Sequence, residues 1–392
     1  MNAYATRQKE KGFILVVVFL VVLLVAIFSL VFFSRHNTFL QASERNRNKI
    51  VAFNMAENGV DFAITQLNTD LNYGGTPVYV PMNGTAGRGG FTVSVTREAA
   101  NPMVRIIQAT GFAPDNNSAS RAYQSVPVVV YGMFRPSNLF DFAVFAENTL
   151  TLTGTDKMAS VDSYDSRLGP YTSGGSDGDI GTNSIAAGAI TLNGKTIVQG
   201  DALIGPSGDP DDGVDIGPNA TIAGTTGTLT ELQDYPTPST TLPSSGDLAV
   251  TTGTQTLMPG TYHYDSLSIS GNGTLSLTGQ VIIYVSGPVD ITGNGIVTAD
   301  NLPTNLLIYV TTSDTVKVAG NGSFYGGIYA PNSLVKNDGN GGIFGAVVSK
   351  DYVQTGNSSI HFDLAMTEVE SDQRLVFEVT AWQEQNSLTW NT

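Results

Sequence analysis

Few side chains in this chain of 392 residues are equipped for chemistry. There is no cysteine, and the three histidines are His36, His263 and His361. Disulfides, thiol catalysis and cysteine-bound metals are therefore closed to it. No nucleophile elbow, phosphate-binding loop or zinc pattern occurs. Two carboxylate pairs, Asp162 with Asp165 and Asp177 with Asp179, are of the kind that polysaccharide hydrolases and lyases use as acid–base couples. A lyase also needs a basic residue at the attacked carbon, and Lys and Arg are scarce in this part of the chain. The pairs read better as solvated turn aspartates. His361 stands two residues before Asp363 and reads as a hydrogen-bonded pair closing the fold rather than a catalytic dyad. The run Asp209-Pro210-Asp211-Asp212-Gly213-Val214-Asp215 poses a calcium question, since Ca2+ takes six to eight oxygens and Asp209, Asp211, Asp212 and Asp215 alternate as carboxylate ligands do. Gly213 stands fifth rather than sixth, however, and no glutamate closes the loop. A plain acidic turn accounts for the run, and no cofactor is expected.

Charge is divided along the chain. Residues 1–135 carry a net charge of +5 and residues 136–392 a net −20, which together give the overall −15. The distal part is unsuited to nucleic acid or anionic lipid, both of which require basic surface.

These groups must be positioned by elements, and the first is unmistakable. Phe13–Phe33 is an uncharged run of 21 residues whose polar member is Ser29; as a helix it reaches roughly 31 Å, about one hydrocarbon core. Secretory signals have shorter apolar regions and end at small residues, whereas this run ends in Phe32-Phe33-Ser34-Arg35. The segment is expected to be retained and to span a membrane. Beyond it, Ile50, Phe53, Glu57, Val60, Ile64, Leu67 and Leu71 recur at three- and four-residue steps, which predicts that the helix continues as an amphipathic rod until Asn72-Tyr73-Gly74-Gly75-Thr76-Pro77 stops it.

Two short stretches carry a resemblance. Lys9-Glu10-Lys11-Gly12-Phe13 looks like the leader junction of type IV prepilins, and Ala52-Phe53-Asn54-Met55-Ala56-Glu57-Asn58-Gly59 with Ala63 is similar to the N-terminal domain of PilX-type minor pilins. The resemblance implies cleavage after Gly12 by a prepilin peptidase, with Phe13 as the new N-terminus and the bulk of the chain outside the inner membrane. Most pilins carry glutamate as the fifth mature residue. Val17 occupies that place here, a departure shared by PilX-type and tip-forming pseudopilins.

Residues 78–131 predict a small antiparallel sheet, with Gly90–Thr96, Met103–Thr110 and Ser125–Tyr131 as its three strands. The C-terminal half then repeats. Gly-Asn corners at Asn272, Asn294, Asn321, Asn340 and Asn357 recur at spacings of 22, 27, 19 and 17 residues. Each follows a short strand-like run. A β-sandwich would turn every 8–12 residues, so the longer period predicts the coils of a parallel β-solenoid. Gly and Asn both accept positive φ at such corners, and stacked Asn side chains can bond from coil to coil. Leu150–Gly154, Ile190–Gly194 and Asp215–Asn219 fit the repeat less regularly, and Tyr235–Pro243 reads as a loop crossing outside the stack. Residues 140–365, with Gly326–Asn332 and Ile360–Asp363, resemble an uncharacterised β-helical domain found on PilX-like proteins.

The expected fold is α+β and mostly β. It comprises a leader (1–12), a transmembrane and amphipathic helix (13–72), a small antiparallel sheet (73–135), a parallel β-helix (136–365) and a C-terminal strand or tail (366–392). The expected function is that of a minor pilin or pseudopilin-like subunit, partnered by other pilins through its helix, and displaying the solenoid for adhesion. The rival is a membrane-anchored β-helical protein that acts on or binds surface polysaccharide.

Overall fold

The computed structural model describes residues 3–82, 89–292, 294–320 and 322–384; the side chains of 3–14, 156–158, 371–374 and 384 lie outside the description. The chain forms two compact units. One holds residues 1–135 and 376–392, and the other residues 136–375.

In the first unit a single helix, α1 (Ala3–Thr69), is some 100 Å long at 1.5 Å per residue. Its apolar residues from Leu15 to Phe33 are largely exposed, and the helix is long and apolar enough there to cross a membrane. Docking begins at Arg45 and Asn48, which donate hydrogen bonds to the carbonyls of Arg121 and Ala122 at 3.0 and 2.8 Å. The strands β1 (Gly75–Pro81), β2 (Gly90–Arg97), β3 (Val104–Ala113) and β4 (Gln124–Asn138) pair antiparallel in sequence order. The C-terminal strand Glu370–Glu384 adds beside β4. The sheet thus has five strands, two more than the expected three.

The buried face of α1 also differs from the predicted one. Asn48, Ala52, Ala56, Gly59, Val60, Ala63 and Leu67 are buried, while Ile50 is 65% exposed and Glu57 stands on the flank. Small residues win because backbones meet here: a β-carbon on Gly111 of β3 would stand 1.9 Å from the Ala52 carbonyl oxygen, and one on Gly59 would press on the Phe91 ring. An apolar period finds bulky stripes, but close approach of helix to sheet selects alanine and glycine.

Among the described residues, seventeen strands of the second unit form one parallel sheet wound as a solenoid, with a further three-stranded sheet alongside. Its register is read along one inward column. Leu248, Leu267, Val289, Val316, Val335, Tyr352, Leu150, Ile190 and Val214 are successive partners in parallel pairing, and all are buried. The column is not in chain order. The chain enters mid-stack at β5 (Val144–Tyr164), winds towards one end through Ile190 and Val214, returns to the other end at Leu248, and winds back until Ile343–Gly356 pairs with β5.

The returning segment lies along the outside, as a strap. Gln233 and Asn183 exchange hydrogen bonds at 2.8 and 2.7 Å. The Tyr235 ring packs on Phe145 and Tyr329, whose hydroxyl donates to Pro236 O at 2.8 Å. His263 Nδ1 lies 2.7 Å from Leu242 O, holding the far end.

Candidate functional site

The register places four side chains in one row across neighbouring coils: Tyr325 beside Phe344, Phe344 beside His361, and His361 beside Asp162 of β5. Period-two alternation sets their common side, since Phe324, Ile343 and Ile360 point into the core and their successors point away from it. Tyr325 and Phe344 are half-buried there, and His361 and Asp162 are buried. Tyr325 and Phe344 stack with centroids 4.6 Å apart at 13°, and Phe344 lies 4.6 Å from the His361 ring. His361 Nδ1 is 2.7 Å from Asp162 Oδ1. The expected pairing of His361 with Asp363 is therefore wrong. In a strand, residues two apart share a face, but here the neighbouring coil supplies the nearer carboxylate, and Asp363 instead accepts from the N–H groups of Ser166 and Ala365.

The segment after β5 folds over this row. Tyr171 lays its ring 4.0 Å from that of His361 and donates to Asp162 Oδ2 at 3.0 Å. Asp177 N–H donates to Ser163 Oγ. Glycines permit the close cover, since a β-carbon on Gly174 would fall 2.5 Å from the Asp162 carboxylate. Burial and the Asp162 carboxylate push the Tyr171 hydroxyl up to about 12, and burial lifts that of Tyr164 further. Both are neutral phenols in ordinary buffers, and of the two only Tyr171 is hydrogen-bonded; the buried Tyr164 hydroxyl has no partner among the described residues.

A cavity of about 370 Å³ opens beside the row, lined by Tyr164, Tyr171, Tyr325, Phe344, Asp300 and Asn301 among others. Asp300 and Asn301 hold φ of 57° and 54° at its lip, where few non-glycine residues go. A larger cavity of about 730 Å³ shares Ser166 and Leu302 with it.

The other predicted residues are dispersed. Asp162 and Asp165 do not form a couple, because Asp165 turns to Arg167, which it meets through both oxygens at 2.7 and 2.8 Å. Glu368 takes the guanidinium's other side. The Arg167 hydrogen bonds hold the Asp165 carboxyl below its usual range. Asp179 belongs to a corner column that the sequence reading passed over: its Oδ1 accepts from Asp201 N at 2.7 Å, and Asp201 Oδ1 accepts from Thr225 N at 2.6 Å. The signal was present as Gly178-Asp179, Gly200-Asp201 and Gly224-Thr225, spaced 22 and 24 residues apart. Asp209 caps the short helix Pro210–Gly213 by accepting from Asp211 N. No three acidic or histidine side chains gather into a metal-sized cluster among the described residues, so Asp209, Asp211, Asp212 and Asp215 are not brought together.

At the Gly-Asn positions that the structure describes, positive φ falls on Gly271, Gly295, Gly320 and Gly356 and not on Asn272, Asn294, Asn340 or Asn357. Asn294 Nδ2 reaches Asn272 O, and Asn357 Nδ2 reaches Asn340 Oδ1, each at 3.3 Å. Thr155 continues the ladder by donating to Asn357 Oδ1. Asn321 lies outside the described residues, as does the side chain of Phe13, while the backbone of Gly12 and Phe13 falls within α1. Val17 is 44% exposed on that helix.

Residues 271–369 match the model of a domain of unknown function, DUF7305. No curated protein sequence matches the chain. Among solved structures, it is similar to the competence-associated pilin ComZ from Thermus thermophilus, at 11% identity and a TM-score of 0.28 over 86% of this chain and 97% of that one. It is also similar to the glycosylated ice-binding protein LeIBP from an Arctic yeast, at 16% identity and a TM-score of 0.32 over 59% and 93%. Ice-binding protein 1 of Shewanella frigidimarina, through its DUF3494 domain, follows at 14% identity and 0.32 over 57% and 94%.

Proposed function

We propose that the chain is a minor pilin or pseudopilin-like subunit, anchored in the inner membrane by α1 and incorporated at low copy into a type IV or related filament. The observation that supports this reading is the division of labour along one unbroken helix. Leu15 to Phe33 presents an apolar exposed surface suited to a bilayer or to the apolar core of a filament, while Arg45 to Thr69 docks on a five-stranded sheet through alanine and glycine. The partners are other pilins, reached through the exposed half, and the prepilin peptidase. The solenoid is the displayed part, and its role is proposed as binding rather than catalysis, because its His361–Asp162 pair is buried beneath Tyr171.

Mass spectrometry of the purified native protein tests the reading. An N-terminus at Phe13, N-methylated, is expected, and Gly12→Leu should retain the leader. An intact Met1 start, or normal-length mature protein in the Gly12 variant, overturns it. A second reading, a membrane-anchored protein acting on or binding surface polysaccharide outside any filament, is favoured by the aromatic cavity on the solenoid.

A further inference from the structure

We propose that the cavity beside the Tyr325–Phe344 stack binds neutral sugar units of an oligosaccharide chain. This gives a ligand class to the solenoid's proposed binding role and rests on that reading; it does not require the filament.

Four features converge. The first is the platform itself. Phe344 is sandwiched between Tyr325 and His361, so the platform is the Tyr325 ring at the end of the row, which lines the cavity and keeps one electron-rich face clear of Phe344. The C–H bonds on the flat side of a pyranose carry the complementary partial charge. The second is rigidity. Phe344 is braced by His361 at 4.6 Å, Tyr171 at 5.6 Å and Tyr164 at 6.1 Å, and His361 is held in turn by Asp162, so little ordering remains to be done when a ligand arrives. The third is the lip, where exposed Asp300 and Asn301 offer acceptors and donors to hydroxyl groups from a backbone held at positive φ. The fourth is charge. No Lys, Arg or His lines the cavity among the described residues, and Arg167, which lines the neighbouring larger cavity with Glu368 and Glu370, is paired with Asp165 and Glu368. Together with the distal net charge of −20, this disfavours uronate, sulfate and phosphate groups by repulsion.

The cavity volume of about 370 Å³ falls in the range of roughly 300–1,000 Å³ usual for small-molecule sites. The neighbouring 730 Å³ cavity, which shares Ser166 and Leu302, leaves room for the chain to continue. The ligand is therefore an oligosaccharide rather than a single sugar.

The test uses the full chain in a zwitterionic, sugar-free detergent. Maltohexaose, cellohexaose and chitohexaose serve as neutral probes and an alginate hexamer as the acidic one, with saturation-transfer NMR and calorimetric titration as readouts. At least one neutral probe is expected to bind and the alginate hexamer to fail. Tyr325→Ala should weaken binding at least tenfold and Asp300→Gly, which removes the carboxylate at a positive φ that glycine adopts freely, about threefold or more. Should Tyr325→Ala unfold the solenoid, Asp300→Gly decides, because that side chain is exposed. No binding by any neutral probe, preference for the alginate hexamer, or unaltered affinity in Asp300→Gly would each overturn the proposal. An N-terminus other than Phe13 would strike the filament reading and leave this result standing.

Discussion

At Gly111 the contact between α1 and β3 is set by the absence of a side chain. A β-carbon there would meet the Ala52 carbonyl oxygen at 1.9 Å and the Ala56 nitrogen at 2.4 Å, and neither backbone atom can swing aside. Gly111→Val should therefore cost about 3 kcal/mol, an overpacking penalty at the upper end of the usual range, measured as a fall in the denaturation midpoint of the full chain. Asp179 gives a titration prediction. Burial holds its carboxyl above the usual range, against the pull of the Asp201 N–H, and the charges of Asp201 and Asp177 add to the rise. The folded-state value thus exceeds the unfolded value of about 4. Stability from this group is full below that pH and is lost as pH rises through the folded value. Asp179→Asn keeps the acceptor for Asp201 N–H and should flatten this part of the pH–stability curve while raising stability at pH 7. A variant with the wild-type slope would refute the assignment. His361 carries the residue-scale lesson on legibility. Its chemistry was visible in the sequence, but its partner lies 199 residues away and no local spacing marks it.

Elements differ in how plainly the sequence declares them. The Gly-Asn spacings of 22, 27, 19 and 17 residues are also the register offsets from Leu267 through Val289, Val316 and Val335 to Tyr352. One corner per coil makes the period and the pairing the same number. The step from Tyr352 to Leu150 has no such signature, because it joins coils made by distant parts of the chain. The long helix was equally plain, whereas its docking face was not, since an alanine stripe has little apolar contrast. The strap was legible from its prolines as a crossing segment, but its seating depends on Tyr235 and Tyr329. Removing the hydroxyl that reaches Pro236 O, by Tyr329→Phe, should cost about 1 kcal/mol. It should also speed proteolysis within Tyr235–Pro243; unchanged cleavage would separate the strap from that hydrogen bond.

For the whole molecule, the seam between β5 and Ile343–Gly356 joins two stretches of solenoid made some 200 residues apart. Tyr352 sits at that seam, fully buried, its hydroxyl in a network with Asn337 and Gln354, beside Ser358. Tyr352→Ala should cost about 3–5 kcal/mol. Because both stretches lean on the seam, amide exchange should rise together in Ile190–Val198 and Val281–Val285; faster exchange confined to one of them would show that the coils melt separately. Folding should be slow, since pairing across the seam needs closure of a very long loop. Filament placement belongs to this scale as well. On the proposed filament reading, Val17 lacks the carboxylate that most pilins carry at that place, and a solenoid of this size would crowd a helical shaft. Immunogold labelling should therefore mark filament ends; regular labelling along the shaft would contradict a tip position.

The seam has one more consequence, in mechanics. The chain comes into the solenoid and leaves it at the same level of the stack, where Leu139 N–H donates to Val369 O at 2.9 Å. If α1 anchors the chain in a membrane and the solenoid holds a ligand, as proposed, a pull between the two enters the solenoid at coils in the middle of the pile. The end coils, at Leu248 and Val214, lie off the load path. Such a pull would not peel the stack from its ends, and coils added at either end would lengthen the display without altering the joint that carries the tension.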